Sequence, residues 1–278
     1  MIQKNYSIIG LYILASIIAI TFLSPFIWLI FTSLKPSKEI FSYPITIFPH
    51  HITFEHYRYV LFRMADFQRY FSNSVVITGI SVGLIVILSC LGGYAFGRKR
   101  FRGQNLMMSF VLLILTIPYA IYLVPIFIME DKFSLTNSYL ALILPYVALN
   151  LPWGLFIMRG SFRTIPDELE DSARIDGANE WQLWFRVMLP LAKPGIATTT
   201  IITFIFVWQE FLFAVTLQSD SRWQTLPVGI VHIRDELQAL AYDNLSVAIL
   251  ISLIPIFILF LLLKNFFIKG ITEGGLKG

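Results

Sequence analysis

The sequence predicts an all-α, polytopic integral membrane protein with about six transmembrane helices, and two observations carry that reading. Charged residues make up only 14% of the 278 residues and mean hydropathy is +0.72, whereas soluble domains carry about 25% charge. The apolar residues also fall in several runs of roughly 20, enough at about 1.5 Å per helical residue to cross about 30 Å of hydrocarbon. Helices are required there because lipid satisfies no backbone N–H or C=O. The net charge of +4 is mild and fits basic cytoplasmic loops, not nucleic-acid binding. The one cysteine, Cys90, lies inside an apolar run, so it forms no internal disulfide and reads as a small hydrophobe.

Taken in order, the runs are Ile8–Phe31, Phe71–Phe96, Leu106–Met129, Tyr139–Met158, Pro194–Leu217 and Leu245–Phe267. The first follows a short N-terminus charged only at Lys4. It is too long for a signal-peptide core and lacks a small-x-small cleavage site, so it reads as a retained span. Pro25, Pro118, Pro125, Pro145, Pro152 and Pro255 predict kinks. Residues 32–70 form a long external loop, irregular or structured. Its His50, His51 and His56 have no acidic or Cys ligands at a metal-site spacing, so no metal is expected. With the N-terminus inside, about 13 of the 21 basic residues fall on the cytoplasmic side, led by the cluster Arg98, Lys99, Arg100 and Arg102. Both termini are therefore expected in the cytoplasm.

One segment between spans, residues 161–193, is polar and rich in helix signals. Thr164 and Asp167 have the spacing of a capping box, Pro166 suits a first turn, and Asp167, Glu168, Glu170 and Asp171 suit the positive end of a helix dipole. Gly177 ends that helix, and Asn179 caps a second one through Trp181, Trp184 and Phe185 to Leu189-Pro190. Leu169, Ser172, Ala173 and Asp176 recur at three- and four-residue steps, a face of mostly small side chains that suits docking into a groove. A headgroup-binding helix would be rich in Lys and Arg on its polar face, whereas this one is acidic early on. A protein partner is the favoured reading.

The run from Glu170 to Ala178, followed by Val187-Met188-Leu189-Pro190, resembles the EAA loop of permease subunits of ATP-binding cassette importers. Asp171, Ser172 and Ala173 fall on its E-A-A positions, Gly177 on its glycine, and Val187, Leu189 and Pro190 on its I-x-L-P. Asp, Ser and Val replace Glu, Ala and Ile, each close in size or charge. Further stretches are similar to the carbohydrate, maltose-type branch: Ser33–Pro36 with Glu39–Phe41, Gly93–Arg98 with Phe101–Gly103, Trp208–Ala214, Thr225–Gly229 and the glycine-rich tail Gly270–Gly278. They follow the family's order along nearly the whole chain.

The resemblance implies a single permease domain, residues 1–278, of the type I ABC importer fold: first span 1–31, external loop 32–70, core 71–267 with the coupling loop, and cytoplasmic tail 268–278. It implies a multi-pass protein of a bacterial or archaeal cytoplasmic membrane. The implied partners are a homodimeric ABC ATPase, a second related permease and an extracytoplasmic solute-binding protein that delivers a sugar. Glu170, Asp171, Ser172, Ala173, Asp176, Gly177, Ala178, Leu189 and Pro190 are then the coupling residues, and Thr272, Gly274, Gly275 and Lys277 a tail contact with the ATPase, unless the tail simply frays. The chain has no Gly-Lys dipeptide and so no P-loop; no cofactor is expected in it, and ATP and Mg belong to the ATPase.

Polar groups inside spans suggest the substrate path: Glu210 with Gln209 and Trp208, together with Asn150, Trp153, Tyr119 and Tyr122. Aromatic and amide groups suit a polyhydroxylated ligand, while helix–helix hydrogen bonding and interfacial anchoring are the more ordinary roles of such groups. A polyol or glycerol phosphate is the alternative cargo. A secondary transporter would show matched broken helices in two halves, and an intramembrane enzyme would show clustered catalytic groups. Neither pattern is present in the sequence, so no enzymatic activity is expected.

Overall fold

The computed structural model describes residues 2–64, 66–236 and 242–275, with side chains for 9–64, 66–232 and 242–266. All regular structure among the described residues is helical. The chain divides into two compact units, Met1–Gln68 with Ile230–Ile254 and Arg69–Gly229 with Pro255–Gly278.

In the first unit, α1 (Ile2–Leu34) continues through Pro25, and its apolar side chains are exposed around the helix, as lipid-facing residues are. The loop that follows is ordered. It holds α2 (Ser37–Ile40) and α3 (Glu55–Phe62) and is tied down by polar contacts. Ser33 Oγ meets Tyr57 Oη at 2.8 Å, and Thr53 N donates to Leu34 O at 2.9 Å. The buried Lys35 ammonium donates to Thr46 O and sits over the Trp28 ring. His56, one of the loop histidines, is buried with Nε2 3.1 Å from Lys35 O and Nδ1 3.5 Å from Asp243.

The second unit begins at the foot of α4 (Phe67–Arg98). The run over Leu106–Met129, in which Pro118 predicts a kink, is broken there. It comprises α5 (Gln104–Ile114), a 3₁₀ turn at Tyr119–Tyr122 and α6 (Leu123–Lys132), with a bend of 93°. Pro118 supplies no N–H and disfavours helical geometry at the residue before it, and the Ile114 carbonyl accepts instead from Ile117 N at 3.3 Å and from the Tyr122 hydroxyl at 3.4 Å. Next comes α7 (Leu140–Arg163), a helix that continues past Pro145 and Pro152.

After α7 the polar segment folds as α8 (Asp167–Ile175), α9 (Glu180–Leu183), a π-helical turn at Trp184–Met188 and α10 (Leu189–Leu191). The fifth run departs from expectation. A continuous helix over Pro194–Leu217 is replaced by α11 (Lys193–Trp208) and the short α12 (Leu212–Leu217). Glu210 sits in the break and accepts from the backbone amides of Phe213 at 2.8 Å and Ala214 at 3.1 Å, so its carboxylate caps α12. The chain ends with α13 (Leu226–Glu236) and α14 (Tyr242–Gly275). Among the described residues four helices are long and apolar enough to cross a membrane, or six if α5 with α6 and α9–α10 with α11 each form one bent span.

Helix α7 packs against both α4 and α11 through glycine. A Cβ added at Gly93 would lie 2.5 Å from Met158 Cβ and 2.9 Å from the Met158 carbonyl carbon, and Gly195 lies equally close to Ser161. Small residues let helix backbones approach where lipid offers no hydrophobic drive to association. One core cluster (Ile77, Ile85, Leu142, Tyr146, Phe213, Leu217) fills the middle of this unit. At the Phe67 end of α4, Asn73 Nδ2 donates to the carbonyls of Arg222 and Gln224, and Ser74 Oγ accepts from Leu226 N, which pins the 218–226 loop. At the Arg98 end lies the polar segment.

Candidate coupling surface

The α8–α10 segment is built by local signals. α8 opens with Asp167, Glu168 and Glu170 in its first turn, where the dipole favours them. Thr164 does not cap it: its hydroxyl bonds back to Ser161 O at 2.8 Å, and Pro166 occupies the cap position without a side-chain bond. α8 ends in a Schellman motif, with Ala178 N donating to Ala173 O at 3.0 Å and Gly177 N to Arg174 O at 3.1 Å. That motif places Gly177 at φ +83°, a left-handed conformation which costs glycine nothing. Asn179 and Gln182 then form a reciprocal capping box, with bonds of 2.9 and 3.0 Å, which starts α9.

The segment has an inner and an outer face. Inward, Ile165, Leu183, Trp184 and Met188 are buried with Cys90, Tyr94, Met158, Phe162 and Ala192, and Ala173, Val187 and Leu189 pack against them. Outward lie Asp171, Ser172, Asp176, Gly177 and Pro190, with Ala178 half-buried. Three large apolar side chains stand out among these polar residues: Ile175 is 86% exposed, Trp181 67% and Phe185 56%. The rings of Trp181 and Phe185 stack at 6.2 Å.

An ionic clamp fastens the outer face to the end of α4. Arg98, whose side chain is 6% exposed, donates through Nε to Glu170 Oε2 at 3.1 Å and through Nη1 to Ile165 O at 3.0 Å, and it pairs with Asp167 at 2.7 Å. Glu170, 13% exposed, also accepts from Arg174 Nη2 at 3.0 Å. Glu180 bridges Lys99 and Arg174, each at 2.6 Å, which ties α9 into the same network. Burial alone would push the Glu170 carboxyl up, but hydrogen bonds from Arg174 and Arg98 outweigh it and hold the group below the ordinary carboxylate range. Hydrogen bonds from Lys99 and Arg174 hold Glu180 low as well.

This geometry sorts the sequence-predicted residues. Glu170 belongs to the clamp, Ala173 and Leu189 to the inner packing, and Asp171, Ser172, Asp176, Gly177 and Pro190 to the open face. Sequence reasoning passed over Arg98 and Lys99 as partners and Ile175 as an exposed knob. The available signals were the basic cluster directly after a span and a β-branched residue within a polar helix. Thr272, Gly274 and Gly275 fall on the helical backbone of α14, but their side chains, and Lys277 altogether, lie outside the described residues.

Of the path candidates, the structure brings Glu210, Asn150 and Tyr119 together around Tyr146. Tyr146 Oη donates to Glu210 Oε2 at 2.5 Å, Asn150 Nδ2 donates to Tyr146 O at 2.8 Å, and the Tyr119 hydroxyl turns to the same carboxylate. Tyr146 was not singled out in the sequence. Trp208 is buried between Phe204, stacked at 5.6 Å, and the edge of Phe71, while Gln209 is exposed and Tyr122 serves the broken turn. Trp153 stacks on Phe206 at 6.5 Å.

Residues 86–273, which include all of this surface, match the family described as binding-protein-dependent transport system inner membrane component. The chain belongs to that family. Its members are transport components, so the chain is a multi-pass membrane subunit of an importer system and not an enzyme. It is 36% identical over 267 residues, 96% of this chain and 93% of the relative, to the sulfoquinovosyl glycerol transport system permease protein SmoH of Agrobacterium fabrum. It is 34% identical over 265 residues, 95% of each chain, to the trehalose/maltose transport system permease protein MalG of Thermococcus litoralis. A crystal structure of a bacterial ABC transporter involved in the import of the acidic polysaccharide alginate contains a chain of the same fold, with TM-score 0.80, 24% identity, and 95% and 97% of the two chains covered.

Proposed function

We propose that this family member is the membrane-spanning subunit of an ATP-driven carbohydrate importer, with both termini in the cytoplasm. A separate homodimeric ATPase binds ATP and Mg, a second related permease completes the pathway, and an extracytoplasmic binding protein delivers the sugar. The α8–α10 segment docks into the ATPase and carries its closure into the spans. The observation that supports this most is Ile175, Trp181 and Phe185 held exposed on a segment whose inner face is packed and whose edge is clamped by ions. Rigid apolar anchors framed by polar residues are what a protein groove takes up. The relatives named above carry glycosides and disaccharides, which supports the cargo class.

The test is ATP hydrolysis by the assembled transporter in vesicles, with its binding protein and a panel of saccharides. Ile175→Asp removes a side chain whose burial is worth about 1.5–3 kcal/mol, so the affinity for the ATPase should drop by about 10- to 150-fold. Gly177→Leu forces a branched residue into positive φ and should uncouple stimulation while the protein still inserts. Normal saccharide-stimulated hydrolysis in both variants overturns the docking role.

A further inference from the structure

We propose that the groove between the ends of α4, α5 and α7 binds the phosphate of an anionic lipid headgroup. The groove is a cavity of about 560 Å³ on the second unit, beside the clamp and bordering the docking face, with which it shares Asp171. Its walls include Arg100, Arg159 and Arg163 in addition to the clamp cations. Asp167 and Glu170 also line it, but both are paired with Arg98, which leaves Asp171 as the one lining carboxylate not held by a cation among the described residues. Arg100 and Arg163 form no ion pair among the described residues, and Arg159 makes one backbone bond, from Nε to Phe96 O at 3.3 Å. Three guanidinium groups thus converge on one opening with little to neutralise them.

A second feature points to the same ligand. Gln104 and Asn105, the first residues of α5, line the groove. The cap residue before them is Gly103 at φ +83°, which offers no side chain to the first-turn amides; Gln104 N donates to Phe101 O at 3.3 Å and its side chain to Phe96 O at 2.7 Å, which leaves the Asn105 amide as the open one of the pair. An uncapped helix start presents N–H groups and the positive end of the dipole, and both favour a phosphate. Guanidinium forks bind phosphate oxygens bidentately. The phosphate belongs to a lipid because the site lies where the apolar part of α4 gives way to Arg98–Arg102, the level of the headgroups. Phe101, Leu106, Met107 and Phe110 continue from it as exposed apolar surface along which acyl chains can run. Basic pockets between spans take anionic headgroups in this way.

The experiment is native mass spectrometry of the assembled transporter released from detergent, with added phosphatidylglycerol, phosphatidylcholine or inorganic phosphate. The wild-type complex should retain phosphatidylglycerol in preference to phosphatidylcholine. Each cation near an anionic surface is worth about a factor of five, so the double variant R100Q/R163Q should lose retention by about 30-fold. R100K/R163K, which keeps the charge, should lose far less, and this separates a binding defect from a folding defect. Equal retention of the two lipids, or undiminished retention by R100Q/R163Q, overturns the site. Displacement of the lipid by millimolar inorganic phosphate overturns the lipid assignment in favour of a free anion.

Discussion

Replacing Arg98 with Met tests whether the ionic clamp holds the α8–α9 segment to the end of α4. The substitution keeps most of the side-chain volume and removes the guanidinium. Three acceptors lose their donor at once: the Glu170 carboxylate and the carbonyls of Ile165 and Pro166. The pair with Asp167 adds little, because that carboxylate is 86% exposed and water replaces the partner. Glu170 is different: at 13% exposure it cannot fully recover its hydration. Breaking a fully buried pair costs about 3–5 kcal/mol, but Glu170 keeps Arg174, so about 2–3 kcal/mol is expected here. That loss falls on local opening of the segment more than on global unfolding, since the spans are untouched. Hydrogen–deuterium exchange of amides 165–176 should therefore speed up by about 30- to 150-fold, while amides in the middle of α4 and α7 keep their protection. A double-mutant cycle with Glu170→Gln should return a coupling of at least about 1 kcal/mol. Unchanged exchange in Arg98→Met, or strict additivity in the cycle, would refute the clamp.

The pH dependence of the same segment follows from its lowered carboxylates. Because Glu170 and Glu180 titrate below their unfolded value of about 4.3, the stabilisation is fully present above that pH and disappears only as pH falls through the lower folded values. Exchange of amides 165–180, corrected for intrinsic rate, should be flat from pH 8 to about 5, and an increase within that range would contradict the assignment. In the spans, Gly93→Ala places a methyl against the Met158 backbone, which cannot swing aside, and should cost about 1–3 kcal/mol in a lower unfolding midpoint in detergent. Gly79→Ala and Gly83→Ala, on the same helix with nothing within 4 Å, should be neutral or mildly stabilising; equal effects at all three sites would remove the close-packing argument.

The spans were legible because a lipid-facing helix needs only length and uniform apolarity, and both are written into consecutive residues. Their interruptions were legible only in part. Pro118 announces a break, but neither its size of 93° nor the bond from Tyr122 back to the Ile114 carbonyl is encoded in any periodicity. Glu210 shows the same limit more sharply. In the sequence it is a charge in the middle of an apolar run, so a pathway role suggests itself. In the structure its carboxylate caps α12 and receives Tyr146, so the break that makes the position polar is visible only after folding.

The polar segment shows what periodicity alone leaves open. Three- and four-residue spacing of Leu169, Ser172, Ala173 and Asp176 marks a helix face, but spacing does not say which way the face points. Ala173 packs inward against the cluster of Phe162, Leu183, Trp184 and Met188, while Ser172 and Asp176 stay in water. Ala173 is therefore small because α8 lies close against its own core, and its carbonyl also closes the Schellman turn at Gly177 and Ala178. The same holds for Glu170, whose partner Arg98 lies 72 residues away and could be identified only from the fold. Within a motif read as one docking surface, some positions thus serve to hold the helix in place, and the exposed knob at Ile175 is what that positioning presents. Substitutions at Ala173 or Glu170 should accordingly loosen the segment first and affect a partner only through it. Ile175→Asp should instead leave amide exchange in α8 intact while docking fails, and this difference in readout separates the two roles.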